Sequence, residues 1–181
     1  MSVLGLDIST TYTGVVVLEK NDPPIILTLD HIEFKKCKTL WDKVDVVKSY
    51  FEAAKKKPEF ANVRSIMIED PAKKFSMGKS SATTIVTLAR FNGLVSYLVR
   101  EVFGMDPEYI AASAARKAVG LKMQQKKKCG LTHKEQTATH IMSNDLKHIT
   151  WPKKKSGEVV DWSYDVIDAF VIAKAAIILS T

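Results

Sequence analysis

The chain has 181 residues, of which 46% are hydrophobic and 26% charged, and its formal net charge is +7. This length suits one domain better than two, so we expect a single domain over residues 1–181. The hydrophobic share is large enough for a sizeable core, which argues against wholesale disorder.

Membrane spans and targeting peptides are not expected from the hydropathy pattern. No uninterrupted apolar run reaches the roughly 20 residues that a membrane span needs. The longest candidate, residues 166–179, is interrupted by Asp168 and Lys174. A strand-like apolar run begins at Val3, where a signal or transit peptide would carry its charged segment. The two cysteines, Cys37 and Cys129, show neither a CxxC pair nor zinc spacing. We therefore expect a cytoplasmic protein in a reducing compartment.

The first third of the chain predicts three consecutive β-strands. Mostly apolar runs at residues 3–7, 14–18 and 25–34 are separated by a Ser/Thr-rich turn and by the Asn-Asp-Pro-Pro turn at residues 21–24. Short turns between successive strands favour an antiparallel meander.

The rest of the chain predicts helices interrupted by two more strands. Strands are expected at residues 64–69 and 107–110, and basic loops at 120–130 and 151–157. Gly93, inside a long predicted helix, indicates close packing of another element there. Thr132 followed by Glu135 is the capping-box pattern. The expected helices span residues 40–56, 80–103, 111–119, 132–146 and 164–179, and the order predicts an α/β fold around a mixed sheet.

Positive charge is concentrated in one part of the chain. Residues 116–155 contain eleven lysines and arginines but only two acidic residues, a net charge of +9. A run of this kind is either an ordinary solvated surface or a face that binds nucleic-acid phosphates.

Four acidic residues lie in apolar surroundings. Asp7 and Glu69 each end an apolar strand, and Asp165 and Asp168 lie three residues apart near the start of the last helix. Buried carboxylates need a cation, and the strands that carry Asp7 and Glu69 contain no embedded lysine or arginine. A shared Mg²⁺ site would satisfy all four, since Mg²⁺ prefers oxygen ligands. Taken singly, the strand-end acids are equally explained as turn residues, and the helical pair as favourable charge at a helix N-terminus.

Five segments resemble RuvC-type Holliday junction resolvases. Residues 5–14 (GLDISTTYTG) are similar to the family's first-strand motif, and residues 66–69 (IMIE) to its strand ending in the second catalytic carboxylate. Residues 164–173 (YDVIDAFVIA) resemble the terminal helix with two aspartates three apart. Between them, residues 114–120 and 132–136 resemble the family's helix, basic loop and lysine-containing helix start. The resemblance covers nearly the whole chain.

This resemblance implies an RNase H-like fold with a mixed five-stranded sheet, three antiparallel strands first and then parallel ones. It implies a Mg²⁺-dependent endonuclease that resolves four-way DNA junctions by symmetric paired nicks, leaving 5′-phosphate and 3′-hydroxyl ends. Two Mg²⁺ ions, replaceable by Mn²⁺, would be held by Asp7 as the bridging ligand with Glu69, Asp165 and Asp168.

The resemblance also assigns the DNA contacts and the quaternary structure. Lys134 is the candidate basic residue near the scissile phosphate, although an exposed helix lysine is the plainer interpretation. Phe75 would wedge or stack at an opened junction, unless it packs locally. Symmetric nicking favours a homodimer through the helix at residues 80–103, and that face could equally serve only the domain itself. The remaining predicted DNA contacts are Lys73, Lys74, Arg116, Lys117, Lys126, Lys127, Lys128, Lys153 and Lys154.

The chain departs from the family pattern in two ways. Ile8-Ser9 follows Asp7 where bacterial members usually have Pro-Gly, and both basic loops are longer than usual. These departures point to a divergent viral or phage member. The alternatives are an RNase H-like nuclease acting on flaps or RNA–DNA hybrids, or a non-catalytic nucleic-acid-binding module. Sugar kinases and actin-like ATPases share the opening motif, but they need a second such domain.

Overall fold

The computed structural model describes residues 1–70 and 82–180. Its centre is a five-stranded mixed sheet of order β3-β2-β1-β4-β5. The first three strands are antiparallel, whereas β4 lies parallel to β1, and β5 parallel to β4. The strands are β1 (Ser2–Ile8), β2 (Tyr12–Glu19), β3 (Ile25–Glu33), β4 (Val63–Glu69) and β5 (Glu108–Ile110).

Seven helices are assigned in the described residues. The strand and helix types predicted from the sequence are confirmed, with ends shifted by up to three residues. Two short helices were not predicted: α2, whose first residue is Pro58, and α5, which lies inside the predicted basic loop. The helices are α1 (Leu40–Ala54), α2 (Pro58–Ala61), α3 (Ala82–Phe103), α4 (Ala112–Ala118), α5 (Lys126–Cys129), α6 (His133–Ser143) and α7 (Asp161–Leu179).

The core has two layers because successive strand residues point to opposite faces of the sheet. Leu4, Leu6 and Ile8 of β1 pack against α1 and α3 on one face. Val3 and, on β2, Val16 belong to the other core cluster, which contains most of α7. Both cysteines are free, as expected.

Helix α7 lies directly on the sheet because glycines occupy the crossing points. A Cβ atom at Gly5 would lie 2.4 Å from the carbonyl oxygen of Ala169, and one at Gly14 only 2.1 Å from that of Asp165. Real Cβ atoms essentially never approach a neighbour so closely, so only glycine fits at either place. Gly14 is also the cross-strand partner of Asp7.

Among the described helices, α3 alone has a length and composition that would suffice to cross a membrane. Only 33% of its most apolar window is buried. The buried face packs into the sheet core through Phe91, Val95 and Val99, as expected of a core helix with one open face. The prediction for Gly93 was wrong: it is exposed, and a Cβ there would meet nothing within 4 Å.

The two kinds of glycine give a matched pair of substitutions. Gly14→Ala should lower the free energy of unfolding by about 3 kcal/mol or more, because the helix must move off the sheet. Gly93→Ala should raise it by up to about 1 kcal/mol, since alanine is the better helix former in open space. Urea denaturation at a fixed protein concentration measures both. Equal effects would contradict the close approach of α7.

Candidate active site

Two carboxylates lie at the same edge of the sheet because they end parallel neighbouring strands. Asp7 stands near the end of β1 and Glu69 at the end of β4, and the pairing of Leu6 with Ile68 brings these ends level. Both side chains lie on the face covered by α7. Asp7 is 2% exposed and Glu69 4% exposed.

Helix α7 brings two further carboxylates to this edge. Asp165 and Asp168 are each 7% exposed and lie one turn apart, so they share a face of the helix. The first turn of α7 is held by an aromatic contact that the sequence did not reveal. The Trp162 ring stacks on His31 of β3 at 4.2 Å with an interplanar angle of 4°.

Two cations reach this cluster from neighbouring helices, and the expectation that the chain supplies none was wrong. Arg116 of α4 donates to Asp168 Oδ1 at 3.1 Å. Lys134 Nζ lies 2.5 Å from Asp165 Oδ1 and 3.8 Å from Asp168 Oδ2. The strands carry no such residue, and both cations come from helices packed beside α7.

Lys134 reaches the cluster because it lies in the first turn of α6, and a capping box fixes where this helix begins. The Thr132 side chain accepts from the backbone N–H of Glu135, and the Glu135 side chain accepts from that of Thr132. This is the predicted capping box, confirmed. Lys134 follows in the first turn, where its side chain extends to α7.

The pKa values of these groups are shifted, and burial is the largest cause in each case. Burial raises the pKa of Asp165 to about 6, with Lys134 opposing and Asp7 adding to the rise. Burial and then Asp7 likewise raise the pKa of Asp168 against the effect of Lys134 and Arg116. Burial lowers the pKa of Lys134, but Asp7, Asp165 and Asp168 outweigh it and leave the pKa raised.

Three of the four carboxylates, Asp7, Glu69 and Asp168, line an open cleft of about 690 Å³, and Lys134, which contacts Asp165, lines it too. It also contains Asp70 and, from the first turn of α6, His133, neither of which was predicted as a site residue. The position of His133 next to Lys134 in a capped first turn was the signal that could have found it. Across residues 1–70 and 82–180, no group of three or more acidic, histidine or cysteine side chains is arranged to hold a metal ion as it stands.

The predicted DNA-binding residues differ in where the structure places them. Arg116 lies inside the cleft on Asp168 rather than on an open surface. Lys126 lines the cleft mouth, whereas Lys154 pairs with Asp161 at 2.6 Å. Lys117, Lys127, Lys128 and Lys153 are exposed. Phe75, Lys73 and Lys74 lie outside the described residues.

No protein-family model matches the sequence, and no curated protein sequence matches it either. Solved structures do match. RuvC of Thermus thermophilus in complex with a Holliday junction substrate aligns with a TM-score of 0.69 over 99% of this chain and 95% of that chain, at 13% identity. A second structure of T. thermophilus RuvC aligns with a TM-score of 0.64 at 14% identity, again over 99% of this chain and 95% of that chain.

The chain has the RuvC fold. The mitochondrial Holliday junction resolvase Ydc2 of yeast is similar as well, with a TM-score of 0.56 and 12% identity over 97% of this chain and 77% of that one. The predicted resemblance is therefore confirmed for the RNase H-like fold: three antiparallel strands, then parallel ones, flanked by helices.

Asp165 gives a test of the charge balance of this RuvC-fold cleft. A carboxyl group whose pKa rises on folding destabilises the folded state increasingly as pH rises from 3.8 to about 6, and fully above that. In EDTA, Asp165→Asn should therefore raise the free energy of unfolding at pH 7.5, by on the order of 2 kcal/mol. This increase in the free energy of unfolding should shrink towards pH 4, as measured by urea denaturation at a series of pH values. A gain independent of pH would contradict the raised pKa.

Proposed function

We propose that the protein is a Mg²⁺-dependent endonuclease that resolves four-way DNA junctions by paired nicks. The observation that supports this most is the cluster of four buried carboxylates at one end of a RuvC fold, which Arg116 and Lys134 contact among the residues that the structure describes. A further support is that the solved structure with the highest TM-score quoted above is itself in complex with a Holliday junction. The predicted Asp7, Glu69, Asp165 and Asp168 set remains the proposed catalytic set.

The chemistry of these side chains fits divalent cations. All four offer hard oxygen ligands, and the raised pKa values of Asp165 and Asp168 mark a place where added positive charge is favourable. Two Mg²⁺ ions, or Mn²⁺ in their place, would supply water activation and stabilisation of the leaving 3′ oxygen, giving 5′-phosphate and 3′-hydroxyl ends. We propose Asp7 as the shared ligand, since its charge acts on Asp165, Asp168 and Lys134 alike.

Lys134 has a role that depends on its freedom to move. Its ammonium group contacts Asp165, and its side chain is 43% exposed. Shared metal coordination by Asp165 requires Lys134 to leave this carboxylate. The released ammonium then lies beside the scissile phosphate, where a positive charge stabilises developing negative charge. Arg116, more deeply buried, stays on Asp168 and holds that carboxylate in place.

DNA backbone binding is proposed for the exposed basic residues around the cleft. Lys126 lines the cleft, Lys127 and Lys128 follow it as exposed residues of α5, and Lys117 lies on α4. Such contacts position the strand without reading its sequence. The proposal that Phe75 wedges at the junction, with Lys73 and Lys74 beside it, rests on the resemblance alone.

A homodimer through α3 is proposed from the open face of that helix. Val86 is 46% exposed and Tyr97 59%, and with Gly93 they follow a spacing of seven and four residues. This is the spacing of residues along one side of a helix. A two-fold pair through this face would present two clefts to one junction.

Cleavage assays on labelled four-way junction, duplex, flap and RNA–DNA hybrid test the proposed function. The wild-type protein should make paired symmetric nicks in the junction with Mg²⁺ and none in EDTA. Asp7→Asn should reduce the rate by at least about 1,000-fold, because electrostatic stabilisation at the phosphate is lost. Asp45→Asn, an exposed carboxylate on α1, is the matched control and should cleave normally.

The other outcomes separate the alternatives. Cleavage of hybrid or flap with the junction left intact would favour another RNase H-like nuclease. Tight junction binding without any cleavage would favour a non-catalytic module. Mg²⁺ should also raise the melting temperature of the wild-type protein more than that of Asp7→Asn, which reports metal binding independently of activity.

The dimer has a separate test. Tyr97→Glu should shift the sedimentation mass from dimer to monomer, because a charge would be buried in the interface. The monomer should then release single nicks rather than paired ones. Ile178→Glu, a comparably exposed apolar residue in the last turn of α7, is the control and should remain dimeric. A wild-type monomer that still makes paired nicks would contradict the proposal.

A further inference from the structure

The segment between β3 and α1 has surface features that the functions above do not use. Trp41, in the first turn of α1, is 66% exposed, the highest value among the exposed large hydrophobic residues of the described chain. Lys36 and Lys38, just before this helix, are exposed too. We call these three residues the α1 patch.

Hydrogen bonds connect the segment that carries the α1 patch to the β1–β2 turn, which follows Asp7. Lys43 Nζ donates to the carbonyl oxygen of Thr10 at 2.6 Å, and the backbone N–H of Phe34 donates to that of Thr11 at 3.1 Å. The patch therefore lies at the active-site end of the sheet. It flanks that end from the face covered by α1 and α3, whereas the basic residues of α4 and α5 flank it from the face covered by α7.

Neither Lys36 nor Lys38 forms an ion pair with an acidic residue in the described ranges. Two neighbouring lysines already have partners. Lys35 pairs with Glu33 at 2.8 Å, and Lys43 donates a hydrogen bond to the β1–β2 turn. Asp42 accepts from the backbone N–H groups of Lys38 and Thr39, and it completes the capping box of α1. The positive charge at Lys36 and Lys38 is thus available to an anionic partner.

Trp41 is exposed although α1 has a well-formed apolar face. Val44, Val47 and Phe51 are the large side chains that bury this helix against the sheet, and Trp41 stands outside that set. A bare indole face beside two unpaired cations matches the composition of single-strand binding surfaces, where bases stack on aromatic rings and lysines contact the phosphates.

We propose that the α1 patch is a second DNA contact, distinct from the basic surface on the α7 side. Lys36 and Lys38 bind phosphates of a strand that leaves the cleft over the β1–β2 turn, and Trp41 stacks on an unpaired base of that strand at the branch point. This inference rests on the proposed function, because it supplies the contact for DNA beyond the scissile phosphate.

Binding to a four-way junction and to an intact duplex, in Ca²⁺ without cleavage, tests the contact. Lys36→Gln/Lys38→Gln should lower the slope of log affinity against log salt by about 1.8, which corresponds to two lost phosphate contacts. Lys56→Gln/Lys57→Gln carries the same charge change at the other end of α1 and should leave the slope unchanged.

Trp41 has its own readout. Trp41→Ala should weaken junction binding about tenfold and duplex binding much less, because only a branch point offers an unpaired base. Trp41→Phe should restore most of the affinity, while the part of the tryptophan fluorescence quenching that comes from Trp41 should be lost, leaving that of Trp151 and Trp162.

The possible failures are distinguishable. If the wild-type protein neither binds nor nicks branched DNA, the proposed function itself fails. If it nicks junctions but both patch variants bind like the Lys56/Lys57 control, only the α1 patch is overturned. The α1 patch is also overturned as a DNA contact if Trp41→Ala changes the sedimentation mass without changing DNA affinity. The patch would then join two copies of the chain.

Discussion

The site depends on how closely α7 lies on β1 and β2. A helix normally stands off a sheet by the thickness of two side-chain layers, but here Gly5 and Gly14 provide no side chain at the crossing points. The backbone of Asp165 therefore lies directly over Gly14, and Gly14 is paired with Asp7. The absence of side chains at these two glycines thus brings the strand and helix carboxylates together. A side chain at either position would separate them.

That close approach has an electrostatic consequence. Four carboxylates buried at one edge repel one another, and burial in a low-dielectric environment adds to the cost. Arg116 and Lys134 offset part of it, yet the pKa values of Asp165 and Asp168 remain raised. A protein selected for stability alone would place apolar residues there, and the presence of four carboxylates instead supports the proposed binding of cations.

The carboxylate cluster could be predicted from the sequence because it depends on local patterns. Asp7 and Glu69 end apolar strands, and the i, i+3 spacing of the two aspartates in α7 survives any tertiary arrangement. The cations that pair with these acids could not be predicted from local patterns. Arg116 and Lys134 reach α7 from helices 52 and 31 residues away, and their contacts depend on packing.

Other errors have the same physical origin. Gly93 was predicted to mark close packing, but the sequence does not say on which side of α3 the core lies. The stack of His31 on Trp162 joins residues far apart in the chain, which no periodicity reveals. By contrast Gly14, the last residue of the first-strand motif at residues 5–14, could be singled out from the sequence. Only the structure shows that its role is to let α7 lie against β2.

The aromatic stack links the placement of α7 to the basic loop before it. Trp151 packs at 6.4 Å from Trp162, whose ring lies on His31. Burial lowers the pKa of His31, against the opposing effect of Asp30 and Glu33, so the imidazole is largely neutral at pH 7. A neutral ring stacks on indole without the cost of desolvating a charge. The loop that carries Lys153 and Lys154 is therefore anchored through Trp151 to the helix turn that precedes Asp165, so that the basic loop and the carboxylates share one support.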